Sequence, residues 1–209
     1  MQTVLTPLDY GFIYHIFSRR NYQEDAFREA RDYALFLSLY VKHISPIADT
    51  YAYCLLKDHF HLLVRIKDKK NLDENLTGLQ DLSGLRAYSP TQSFLNLFSA
   101  YTKGMNKAYH RTGALFQIPF GATPVPDDHR YVFRHISRIH QNSETHRLVK
   151  SFRDWPHSSY YAKVSLRSKQ PNRLSAYPQN KILEPFVTFE PRPICMEDIV
   201  TSLYANDLD

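Results

Sequence analysis

The stretch His59-Phe60-His61-Leu62-Leu63-Val64 decides how the rest of the chain is read. It predicts a strand, and strand side chains alternate between faces, so His59, His61 and Leu63 share one side while Phe60, Leu62 and Val64 share the other. Two imidazoles spaced this way can meet one divalent ion. Imidazole suits transition metals such as zinc or manganese, and an oxygen or nitrogen ligand from another element would complete a site open to phosphate and water. The competing reading is a pair of half-buried structural histidines. The flanks Tyr53-Cys54-Leu55-Leu56 and Leu62-Leu63-Val64-Arg65 put the pair on an otherwise buried hairpin strand, where polar groups need partners.

Working outward, Ile47 to Leu56 and His59 to Ile66 are strand-like runs separated only by Lys57-Asp58, which predicts an antiparallel hairpin. Upstream, Gly11 to Ser18 reads as a first strand. Asp25 to Val41 carries Phe27, Ala30, Tyr33, Ala34, Leu37 and Val41 at helical spacing before Pro46. Downstream, Lys67 to Pro90 is polar and reads as loop, and Gln92 to Tyr109 spaces Phe94, Leu97, Phe98, Tyr101 and Met105 as a helix. Ala114 to Gln117 is a candidate short strand, with Pro119 and Pro124 confining its continuation to an edge or loop. Asp127-Asp128 caps a third helix through about Gln141, with Tyr131, Ile136 and Ile139 as a partial apolar stripe. This order predicts an α+β sandwich of the split βαβ kind, with an antiparallel sheet and helices on one face. From Leu166 on, five prolines from Pro171 to Pro193 break every pattern, so residues 1–165 form the expected domain and 166–209 a C-terminal extension or tail.

The 209 residues suit one domain, and a 43% hydrophobic, 22% charged composition is that of a water-soluble globular chain. No apolar run approaches the roughly 20 residues needed to cross a bilayer, and Met1 to Pro7 lacks the pattern of a secretory signal. Cys54 and Cys195 make no disulfide framework; Cys54 reads as a buried small hydrophobe and cytoplasmic residence as the default. Net charge is +5. Its distribution says more: Arg130, Arg134, Arg138, Arg147, Lys150, Arg153 and Lys163 face only Glu144 and Asp154 in their stretch, which predicts one positive face suited to a polyanion. The plain alternative is solvated surface charge.

Four blocks occur in order: Tyr14-His15-Ile16-Phe17-Ser18-Arg19 with the histidine strand, Arg111-Thr112-Gly113-Ala114-Leu115-Phe116-Gln117, Ile139-His140-Gln141-Asn142, and Asp154-Trp155-Pro156-His157-Ser158-Ser159-Tyr160. Together they resemble the single-tyrosine HUH transposases, the IS200-like group, and within it the relatives associated with repeated extragenic palindromes. The resemblance covers most of 11–164. It implies a ferredoxin-like domain that binds single-stranded or hairpin DNA, a divalent metal (Mg or Mn) that orients the scissile phosphate, and a helix tyrosine that attacks it. Carried over residue by residue, it implies His59, His61 and Asn142 as metal ligands. A homodimer and a monomer are both compatible with it.

At the position implied for the nucleophile stands Arg138, Arg20 replaces the family's glycine after the first strand, and Ser143 its proline after the asparagine. A guanidinium stays protonated and cannot attack phosphorus, yet it would attract a polyanion. Tyr131, about two turns or roughly 10 Å earlier on the same helix, is the weak substitute nucleophile and otherwise a core-facing aromatic. Arg19, Arg20, Lys103, Lys107, Arg111 and Arg138 are the candidate nucleic-acid contacts, against a reading as solvated charge. Trp155 is expected to anchor its segment to the core. The leading expectation is therefore a transposase-related DNA-binding protein whose strand transfer is in doubt. The alternatives are a noncatalytic single-stranded or hairpin DNA-binding module and a metal-dependent nuclease using activated water.

Overall fold

The hairpin predicted around Lys57-Asp58 forms one side of a four-stranded antiparallel sheet. In the computed structural model, which describes residues 7–21, 25–71, 89–162 and 193–203, the strands are β1 (Ile13–Arg19), β2 (Ala48–Leu55), β3 (His59–Ile66) and β4 (Gly121–Val125), in the order β2-β3-β1-β4. Both β3 and β4 run antiparallel to β1, which is the split βαβ arrangement. The N–H of Leu56 donates to the His59 carbonyl at 2.8 Å and closes the turn.

Register fixes which side chains meet. His15 stands opposite Leu63, Phe17 opposite His61 and Arg19 opposite His59, and directly paired residues share a face. One face therefore collects His15, Phe17, Arg19, His59 and His61. The other collects Tyr14, Ile16, Phe60, Leu62 and Val64, where α1 (Ala30–His43) and α2 (Pro90–Ala108) pack. Phe36 of α1 and Phe98 of α2 lie 5.3 and 5.4 Å from Phe60, ring to ring, and all three are buried.

The third helix, α3 (His129–Thr145), covers the histidine face, with its His135 ring 6.1 Å from that of His15. This corrects the expectation of helices on one face. The physical reason lies in β2, which is buried along almost its whole length; a strand apolar on both sides needs cover on both. Asp128 caps α3 as expected, accepting from the Arg130 backbone N–H at 2.8 Å. By contrast, α1 begins at Ala30 rather than near Asp25, because Glu29 and Asp32 form a reciprocal capping box there.

The fourth strand also differs from expectation. Within 114–117 the pairing is short, a bridge of Phe116 to Arg20 flanked by the Gln117 N–H on the Arg19 carbonyl and the Asn21 N–H on the Leu115 carbonyl, and the strand proper is Gly121–Val125 at the sheet edge, with Pro124 opposite Tyr14. A proline lacks the N–H for a central ladder and is tolerated at an edge. Gly121 is required for a different reason: a Cβ there would lie 2.3 Å from Cζ of Phe17 and nearly as close to both neighbouring ring carbons.

Part of the expected tail belongs to the core. The Ile194 N–H donates to the Thr50 carbonyl at 2.7 Å on β2, and α4 (Met196–Leu203) buries Met196 and Ile199. The expected boundary between 165 and 166, and most of the polar segment from Lys67 to Pro90, lie outside the described residues.

Candidate nucleic-acid and metal site

Between the sheet and α3, histidines converge. Nδ1 of His59 lies 2.6 Å from Oδ1 of Asp58, and Nδ1 of His61 lies 3.0 Å from Nε2 of His15. The His59 and His61 rings are perpendicular, 5.2 Å apart. Nε2 of His59 is buried without a hydrogen-bond partner among the described residues. Such an orphan normally costs about 1–3 kcal/mol.

Burial, followed by the neighbouring imidazoles and the Arg138 and Arg19 guanidinia, pushes His15 down to about 4 and His61 down to about 3. His59 is also lowered by burial, with the Asp58 carboxylate opposing. All three are thus neutral near neutral pH, the form that ligates metals. Coordination through Nε2 requires the proton on Nδ1; Nδ1 of His59 faces the Asp58 carboxylate, and Nδ1 of His61 faces Nε2 of His15, which accepts when His15 carries its own proton on Nδ1. The pair therefore fits a metal. Among the described residues no group of three or more His, Cys, Asp or Glu could hold one; Asn142, the third ligand that the resemblance implies, lies on α3.

The strap from Ser151 to Ala162 sets the roll of α3. Trp155 donates from Nε1 to the Leu55 carbonyl at 2.9 Å, as an anchor should, and the Leu55 N–H donates to the His157 carbonyl at 2.9 Å. The His157 ring stacks on Tyr33 at 3.4 Å. Oγ of Ser159 lies 2.7 Å from Nε2 of His140 and accepts from the Tyr53 N–H at 3.0 Å. At 100° per residue, His140 and Asn142 occupy opposite flanks of the helix. Tying His140 to β2 through the strap turns the flank that carries His135 and His146 toward His15 and His59, with Arg138 at its exposed margin.

That flank carries what sequence reasoning missed. His146 brings its ring to 4.6 Å from His59, and His135 approaches His15. Their spacing of three, four and four residues with Arg138 and Asn142 was a readable helical signal. His15 was readable too, as a polar residue on a strand paired with the histidine strand; Asp58 had appeared only as a turn residue.

Other candidates divide. Arg19 ends β1 opposite His59, and its charge reaches both His59 and His61. Arg20 is paired with Asp25 at 3.3 Å. Lys103 and Lys107 are exposed on α2, in the layer across the sheet, and Arg111 follows that helix with its N–H on the Asn106 carbonyl. The structure does not bring these last three to the histidine face. Tyr131 is 48% exposed rather than core-facing, and the Arg134 guanidinium lies 5.9 Å above its ring.

No protein-family model matches the chain. Its sequence is similar to that of a Haemophilus influenzae protein described as a REP-associated tyrosine transposase, with 29% identity over 118 residues, spanning 56% of this chain and 61% of the relative. Its fold is similar to a solved REP-associated tyrosine transposase bound to a REP hairpin, with a TM-score of 0.58 and 15% identity over 90% of this chain and all of the other. The resemblance read from the four sequence blocks and the α+β architecture therefore stand. Among the described residues, no helix is long and apolar enough to cross a membrane.

Proposed function

We propose that this chain is an IS200-like transposase-related protein that binds hairpin or single-stranded DNA on the face between β1, β3 and α3, and that it holds a strand without cleaving it through a tyrosine. The observation that carries the reading is the position of Arg138. It lies exposed at the margin of the flank that carries His135 and His146, near enough for its charge to act on His15, at the position where the resemblance implies the nucleophile. A guanidinium there attracts a phosphate and cannot form a phosphotyrosyl bond.

His59, His61 and Asn142 would hold a divalent metal, Mg or Mn, which when bound supplies Lewis-acid polarisation of a phosphoryl oxygen. Arg19 and Arg138 take the strand's charge from the rim, and Asp58 and His15 keep the two ligating rings in the tautomer the metal needs. A homodimer would have to use helix surfaces, because the β2 edge is bridged by Ile194 and Ser158 and the β4 edge carries Pro124.

The test uses labelled hairpin DNA with Mn or Mg, examined on a native gel and on a denaturing gel with and without protease. Retarded, intact DNA and no adduct is the expected result for the natural chain, with a protease-sensitive adduct appearing for Arg138→Tyr. An adduct from the natural chain overturns the reading of Arg138. Cleaved ends without adduct would favour a nuclease using activated water, and no retardation removes the DNA reading altogether.

A further inference from the structure

The exposed side of α3 that runs from Arg138 toward the helix N-terminus carries residues that the histidine site does not use, Arg130, Tyr131 and Arg134. Arg130, Arg134 and Arg138 recur every four residues and are all exposed, forming a column about 12 Å long. Like charges at this spacing destabilise a helix unless something neutralises them. Nothing internal does so: among the described residues none of the three is in an ion pair with a carboxylate. The nearby acids are already engaged, Asp127 by Arg65, Asp128 by the helix cap and Glu144 by the Phe152 N–H. Beside the column stands Tyr131, 48% exposed, with the Arg134 guanidinium over its ring. An exposed tyrosine flanked by uncompensated guanidinia combines a stacking surface with phosphate-neutralising charge.

We propose that this face of α3 is a single-strand track, on which Tyr131 stacks an unpaired base and Arg130 and Arg134 neutralise the phosphates on either side. The inference rests on the DNA reading above and adds to it the direction of the strand, from the histidine face at Arg138 toward the N-terminal end of α3. Bases stack on an aromatic ring whatever their identity, so the track is sequence-tolerant.

Fluorescence anisotropy with the full chain separates this inference from the reading beneath it. The probes are one DNA hairpin without a flank and the same hairpin carrying single-stranded flanks of about six nucleotides. The flanked probe should bind more tightly. Tyr131→Ala should lose about tenfold on the flanked probe while binding the bare hairpin as the natural chain does, and Tyr131→Phe should keep the gain. Arg130→Ala should reduce the salt slope for the flanked probe by about one unit. A flank gain that survives Tyr131→Ala, or no flank gain on a hairpin that binds, overturns the track and leaves the DNA reading standing. If neither probe binds, both fail.

Discussion

His157 offers a quantitative test of the strap that orients α3. Its ring stacks on Tyr33 at 3.4 Å with the planes 4° apart, and burial pushes its pKa down to about 4 from an ordinary value near 6.5. The folded state therefore resists a proton that the unfolded chain accepts. Stability from this group is fully present above the unfolded pKa and is lost as the pH falls toward the folded one. With those two values, linkage gives a loss of about 2 kcal/mol between about pH 7 and pH 5, or about 1–2 kcal/mol once the solvent reaching part of the ring is allowed for. His157→Phe keeps a flat ring against Tyr33 and cannot titrate. Urea unfolding of both proteins at the two pH values isolates the effect, because every other histidine is common to both. The natural chain should lose about 1–2 kcal/mol more than the variant. Equal losses would refute the reasoning, since they would mean that the strap does not hold His157 neutral.

Three further outcomes follow from named contacts. Gly121→Ala should displace the Phe17 ring and destabilise the fold by about 1–3 kcal/mol, read as a lower urea midpoint at unchanged slope. Asp58→Asn should weaken Mn binding about 10- to 100-fold by calorimetry, with His59→Ala and His61→Ala abolishing it; unchanged binding in Asp58→Asn would remove the carboxylate from the site. Ser159→Ala strips the buried His140 ring of its 2.7 Å partner and should cost about 1–3 kcal/mol of stability, an effect that Ser159→Thr should lessen.

Much of the fold was legible because its signals are local. Alternation from His59 to Val64 gave a strand with the right faces, helical spacing of Phe94, Leu97, Phe98 and Tyr101 gave α2, and Asp128 marked the start of α3. The readings that failed depended on what packs where. Tyr131 belongs to a partly apolar helical stripe, and only the roll of α3, set through His140 and Ser159, decides that it faces solvent. Phe116 and its neighbours have strand composition, yet the edge position went to a segment holding Pro124, because β1 had a free edge that did not require the missing N–H.

By itself the sequence determined that two histidines share a strand face and that an arginine, rather than a tyrosine, occupies position 138. Both are statements about residue identity and short-range periodicity, which a chain carries before it folds. Only the tertiary structure decided that His15, His135 and His146 join the pair. Those contacts come from strand register and from a helix tied across the sheet by a strap up to 106 residues away along the chain, and no local pattern encodes a distance of that kind.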